Sequence, residues 1–221
     1  MSLDFDSARL LNTRLKSEHH EWRAQLRRFF DREVIPYADQ WDEDGCIPDE
    51  LWPKSAEVGI LGLGYPEEFG GVSEGIDLWY SIILNEEMSR VAVGGLGATL
   101  MVHGIGLPPV INFGSDDVKK MVAPPVLAGT KRISLAITEP GAGSDVAHLT
   151  TTARLNGDHY VVNGSKTYIT GGMNANWFTT AVRTGGEGAG GVSTLLIPAD
   201  AEGVSRTALD KKQGWWCSDT A

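Results

Sequence analysis

The feature that most constrains the fold is a change of hydrophobic period near Thr130. Upstream, over residues 18–42, the apolar side chains Trp22, Leu26, Phe29, Phe30, Val34, Tyr37 and Trp41 recur at helical spacing with Arg and Glu between them, as an amphipathic helix requires. Pro36 should kink or divide that helix, because proline lacks an N–H and its ring clashes with the preceding turn. A short helix is predicted at 49–58, followed by the irregular glycine-rich stretch GILGLGYPEEFGG at 59–71. A further helix at 76–91 leads into an uncharged one, and Ser115-Asp116-Asp117 caps a last helix ending near Pro124-Pro125. Downstream of Thr130 come short segments rich in Thr, Val, Ile and Tyr, at 133–138, 150–155, 159–162, 166–170, 177–184, 192–198 and 204–209. The turn signals Asn156-Gly157 and Asn163-Gly164 and a glycine-rich loop at 185–191 separate them. Strands and helices do not alternate, so a Rossmann domain is not expected. The expected fold is α+β: an N-terminal all-α helical domain over 1–130, then an antiparallel β-barrel or sandwich-like domain over 131–221.

With 221 residues, 42% of them apolar and 22% charged, the chain can bury a substantial core. Its formal charge of −10 makes the electrostatic term that dominates nucleic-acid affinity repulsive on average, so no nucleic-acid partner is expected. Cys46 and Cys217 make neither a disulfide framework nor a metal spacing. His19, His20, His103, His148 and His159 form no metal constellation, and structural roles are expected for them. The first residues, MSLDFDSARLLNTRLK, have no apolar run and carry Asp4 and Asp6; no targeting signal is read there, and a cytoplasmic location is the expectation. Residues 91–115 contain no Asp, Glu, Lys or Arg, but Gly94, Gly95, Gly97, Gly104 and Gly106, together with Pro108-Pro109, His103 and Asn112, dilute their hydrophobicity. A buried core helix is expected there rather than a membrane span.

Two stretches carry the chemistry. AITEPGAGSD, at 136–145, has no Lys followed by Ser or Thr, so it is not a P-loop. Val146 stands where a dinucleotide fingerprint needs its third glycine, and Thr-rich sequence follows instead of a helix. What remains is a turn, or a nest: a strand end, Pro140, two glycines that let backbone N–H groups converge on an anion, and the Ser144 hydroxyl. The second stretch, SKTYITGGMNANW at 165–177, as a strand would set Tyr168 and Thr170 on one face and Ile169 on the other. Ordinary sheet residues would look the same. A flat redox cofactor such as flavin needs an aromatic wall, donors near its ring edge and a pyrophosphate nest, and the two stretches together offer all three.

In these two stretches the chain resembles the acyl-CoA dehydrogenase family. LAITEPGAGSD and KTYITGG occur at family-like separation, and FFDREVIPYADQWDEDG, LGYPEEFGG, NEEMSRV, NFGSDDVKK and KKQGWWCSDTA extend the resemblance along nearly the whole sequence. It implies an N-terminal helical domain, a middle β domain, a C-terminal helical bundle and FAD held noncovalently, with loss of an α-proton from an acyl-CoA and transfer of the β-hydrogen as hydride to flavin N5. Leu135 to Ser144 would form the first FAD-binding stretch, with Leu135, Ile137, Thr138, Gly143 and Ser144 as contacts. Thr138 would meet the pyrimidine edge of the ring, and Ser144 the pyrophosphate and the substrate's pantetheine. Tyr168, where many relatives carry Trp, would lie against the isoalloxazine, flanked by Ile169, and Thr170 would donate toward N5.

The same resemblance gives the uncharged helix a reading, in which Gly97, Ala98, Met101 and Ile105 form one face bordering the acyl tail. A small Gly97 would then leave a slot for a medium to long or branched chain, or would simply permit close helix packing. Trp216 of Trp215-Trp216 stands where relatives frequently show Arg; packing in a sheet is the expectation for the pair. Glu139, Glu86 and Glu87 are expected in solvated or capping roles. The catalytic Glu of the family belongs to the C-terminal bundle, beyond Ala221, so no residue here is named as the base. A polypeptide of this length is expected to bind flavin weakly and not to turn over. The implied partners are an acyl-CoA substrate, an electron-transfer flavoprotein as acceptor and a homo-oligomer of the full-length protein. An acyl-CoA oxidase, a nitroalkane oxidase or a non-catalytic binding module are the alternative readings.

Overall fold

The computed structural model describes residues 13–221; the N-terminal signal reading falls on residues 1–12, outside the described part. Helices fill the sequence up to Leu127 and five strands follow, so the helical region precedes the sheet as expected. The chain forms two compact units that interleave in sequence. One takes residues up to 101, 123–130 and 212–218; the other takes 102–122, 131–211 and 219–221.

In the first unit the long amphipathic pattern is divided at Pro36 into α1 (Ser17–Glu33) and α2 (Ala38–Asp44). The stripe of α1, Trp22, Leu26, Phe29 and Phe30, is buried against residues of α3 (Leu51–Glu57), α4 (Leu78–Met88) and α5 (Gly94–Leu100). Complete burial of a side chain such as Leu26 stabilises by about 2 kcal/mol. Polar bonds lock α1 to α4. Nδ1 of His19 accepts the Lys16 N–H at 3.0 Å, so Nε2 carries the proton and donates to Asp77 Oδ1 at 3.0 Å. That carboxylate also caps α4 by accepting from the Trp79 N–H. Glu87, fully buried on α4, accepts from Arg27 Nε and Nη2 and from Arg23 Nη1, each at 3.0 Å. A solvated role for Glu87 is therefore overturned: burial would raise its pKa, but the Arg27 and Arg23 bonds outweigh that and hold it below the ordinary value.

The uncharged stretch is not one helix. It is α5, then α6 (His103–Gly106) and α7 (Pro108–Phe113), with α5 ending at Met101, whose backbone leaves helical geometry. Gly94, Gly95, Gly97, Gly104 and Gly106 lower its helix propensity, and Pro108 suits the first turn of a new helix. Among the described residues, no single helix is long and apolar enough to cross a membrane. The last helix, α8 (Asp116–Leu127), has Ser115 Oγ accepting from the Val118 N–H at 3.4 Å and runs past Pro124-Pro125 instead of stopping there.

The second unit is built on a five-stranded sheet that corrects the antiparallel barrel expected. Its strands are β1 (Ile133–Ala136), β2 (Thr152–Asn156), β3 (His159–Asn163), β4 (Trp177–Arg183) and β5 (Val192–Pro198). β4 pairs parallel with β1 and, at Thr152↔Arg183, parallel with β2. The β2–β3 and β4–β5 pairs, joined by local turns, are antiparallel. The sheet is mixed and open, not a closed barrel. Local turns could be read from Asn-Gly; the long-range parallel pairs had no turn to announce them. Residues 166–170 and 204–209, expected as strands, are irregular apart from a bridge at Thr170. Gly106 of α6 sits where an added Cβ would come within 3.1 Å of the Ile133 carbonyl oxygen, and its own carbonyl accepts from Thr179 Oγ1 at 2.6 Å. That fixes α6 directly on β1 and β4.

Candidate functional site

The two glycine-containing stretches come together in the second unit. β1 delivers the first at its C-terminal end, and Thr167 of the second donates its N–H to the Thr138 carbonyl at 2.9 Å. One residue earlier, Lys166 Nζ donates to the Ile137 carbonyl at 2.9 Å and to Glu139 Oε1 at 2.8 Å. Glu139 is buried and also accepts from the Thr150 N–H and hydroxyl, each at 2.7 Å, and from the Thr151 N–H at 2.9 Å. Burial raises its pKa, but Lys166 and the Thr150 and Thr151 donors outweigh burial and hold the carboxyl far below the usual range. Glu139 is thus neither solvated nor a cap, as sequence suggested, but the clasp between the two stretches. Its signal was one acid in the first stretch and one base at the head of the second.

Past the clasp, Glu139 and Ala142 exchange backbone hydrogen bonds of 2.9 and 3.1 Å, closing a tight turn. The N–H groups of Gly141, Gly143 and Ser144 have no partner among the described residues, and all three residues are exposed. No heavy atom lies within 4 Å of where a Cβ on Gly141 would stand, so the turn is open on that side. Unbonded, exposed amides next to a serine hydroxyl suit an anionic group such as a pyrophosphate. The chain beyond is fixed by Arg183, which donates to the carbonyls of Ala147, Leu149, Gly186 and Gly188 at 2.6–3.1 Å.

The second stretch departs from the expected strand in an informative way. Tyr168 has φ of +58°, in the left-handed region, and the residue is 65% exposed. Ile169 turns inward and is buried, and its backbone exchanges bonds of 2.8 and 3.0 Å with Ala221. Gly171 donates to the Asp219 carbonyl at 2.9 Å, so Thr170 and Thr220 are the non-hydrogen-bonded pair of that short ladder, and the backbone groups of Thr170 face away from it. Asp219 Oδ2 accepts from the Met173 N–H, and Arg206 Nη1 donates to the Met173 carbonyl at 2.9 Å, holding the following turn. Leu135, Ile137, Thr138 and Thr170 are half-buried, as residues at a site's edge are. Donors, aromatic wall and nest are the set a flavin dinucleotide needs, so the residues present fit that group.

The residues expected to line an acyl tail are not brought together on one helix: Gly97 and Ala98 lie on α5, Met101 ends it and Ile105 lies on α6. A Cβ on Gly97 would stand 3.1 Å from Met88 Sδ, so the small residue lets α5 pack closely on the Met88 side chain of α4. Trp215 and Trp216 are about half exposed in a turn, not packed in a sheet. Trp215 has φ of +57°, its indole nitrogen lies 2.6 Å from where a Cβ on Gly94 would stand, and Trp216 Nε1 donates to the Lys212 carbonyl at 2.9 Å.

A helical region is followed by a mixed sheet whose first strand leads into a turn with exposed, unbonded amides, and the segment clasped to that turn carries an exposed aromatic. Residues 16–130 match the family described as "Acyl-CoA dehydrogenase, N-terminal domain" and residues 134–219 its middle domain. The chain belongs to the acyl-CoA dehydrogenase family. It is 34% identical to the mitochondrial long-chain specific acyl-CoA dehydrogenase of Rattus norvegicus, over 93% of this chain and 48% of that protein. It also resembles the crystal structure of a probable acyl-CoA dehydrogenase from Mycobacterium abscessus, with 47% identity, TM-score 0.87, and coverage of 93% of this chain and 54% of that one. A Bacillus anthracis acyl-CoA dehydrogenase, whose structure is complexed with FAD, shares 33% identity and a TM-score of 0.83, over 96% of this chain and 36% of that one. The chain thus spans about half or less of the length of these relatives.

Proposed function

We propose that the chain forms the flavin-holding part of an FAD-dependent acyl-CoA dehydrogenase that desaturates an acyl thioester between its α and β carbons. The observation that carries this reading is the clasp: Thr167 bonded to Thr138, and Lys166 to Glu139, put the nest and Tyr168 in one region of one sheet unit. FAD, when bound, accepts the β-hydrogen of the thioester as hydride. The free amides of Gly143 and Ser144 and the Ser144 hydroxyl hold the pyrophosphate, with Leu135, Ile137 and Thr138 along the ring edge. Tyr168 walls the ring, Ile169 supports that wall from inside, and Thr170 presents a donor toward the reacting nitrogen. Gly97, Ala98, Met101 and Ile105 stand as the acyl-side candidates from sequence. An acyl-CoA is the substrate, an electron-transfer flavoprotein takes the electrons, and the full-length enzyme is a homo-oligomer.

None of the acids singled out here serves as the α-proton base. Glu87 is taken by Arg23 and Arg27, Glu86 pairs with Arg23 at 2.5 Å, and Glu139 is taken by Lys166. Residues 1–221 alone are therefore expected to bind FAD weakly and to give no turnover. The test is the visible spectrum of the purified chain titrated with FAD, then with an acyl-CoA. Flavin bands that shift on binding and again with thioester support the reading; free-flavin spectra at saturating FAD overturn it.

A further inference from the structure

Tyr168 is the one aromatic of AITEPGAGSD and KTYITGG, and its backbone is in the left-handed region that bulky L-residues rarely adopt. Such strain persists only where the surroundings over-determine it. Both neighbours are clamped: Thr167 bonds Thr138, Lys166 bonds Ile137 and Glu139, and Ile169 is buried with two backbone bonds to Ala221. Gly171, at φ +70°, fixes the exit, because a Cβ there would come within 3.0 Å of Ser134 Oγ. Tyr168 itself makes no hydrogen bond among the described residues, and the residue is largely exposed. Nothing the residue gains in the unliganded fold accounts for the conformation that its neighbours impose.

We propose that the clasp around Tyr168 holds its backbone in a strained left-handed turn so that the phenol ring stands preformed for a flat aromatic ligand, at the expense of stability in the unliganded chain. The inference rests on the flavin reading for the ligand's identity, and its strain half stands apart from that reading. An outward ring fixed in advance loses little freedom when a ligand stacks on it, so the strain is repaid on binding.

Two variants of the full chain separate the halves. Tyr168→Asn accepts the left-handed region readily and removes the ring; Tyr168→Trp keeps both strain and aromatic wall. Without ligand, Tyr168→Asn is expected to melt about 2–4 °C higher than the parent chain, and Tyr168→Trp within a degree or so of it. In a titration followed by FAD fluorescence, Tyr168→Asn is expected to bind at least about tenfold more weakly, with Tyr168→Trp within about threefold of the parent. Opposite signs of stability and affinity in the Asn variant would not come from a merely structural tyrosine. An Asn variant that melts no higher, or that binds FAD as well as the parent, overturns the inference. A parent chain that binds no FAD overturns the proposed function instead, while the melting comparison still decides whether Tyr168 is strained.

Discussion

Glu139 shows how much one buried carboxylate can organise. It accepts four hydrogen bonds and forms an ion pair with Lys166, whose side chain is 11% exposed against 3% for Glu139. Replacing it by Gln leaves the ammonium group without its partner, and a loss of about 3 kcal/mol is expected in denaturant unfolding at pH 7. Equal stability of parent and variant would show the clasp to be idle. The pH dependence has a definite sign. The pKa of Glu139 is lower in the folded chain than in the unfolded one, so its stabilising effect is fully present above the unfolded value of about 4.3 and fades as pH falls below it. Glu87 acts in the same direction. Melting temperature should therefore decline below about pH 5, and Glu139→Gln should flatten part of that decline. The acid and base were visible in the sequence; their meeting was not, because residues 27 apart declare no pairing until the strands between them are placed.

At the scale of elements, β4 is the organiser. Its residues 177–180 pair with β1, Arg183 reaches β2, and the opposite edge takes all of β5. Arg183 at its end ties down the carbonyls of two loops, one following Ser144 and one at 184–191. Arg183→Met should cost about 2 kcal/mol and speed amide exchange at Leu149, Thr184 and Gly185 while exchange within β1 stays slow. Uniform acceleration across the sheet would point to global loosening instead. The hairpin β2–β3 was legible because Asn156-Gly157 sets a local turn, and the stripe of α1 because its period is local too. The break of the uncharged stretch into α5, α6 and α7 was not, although its glycines and prolines carried the physical cause.

For the whole molecule, ligand linkage gives a direct measurement. If FAD binds the folded chain alone, stability rises with the logarithm of its concentration, by about 2.7 kcal/mol at a hundredfold excess over Kd. That corresponds to roughly 5–10 °C in melting temperature for a chain of this size; an unchanged melting curve would remove flavin from the account. The order of helical and β regions, the two stretches that meet at the clasp and the family followed from sequence, because period, turn residues and short motifs are local properties of the chain. Tertiary structure alone decided that the sheet is mixed and open, that Met88 packs closely on Gly97, that Glu139 clasps Lys166 and that Tyr168 is left-handed and exposed. Each of those depends on segments far apart in sequence meeting at ångström distances, and no local preference of a polypeptide encodes that distance.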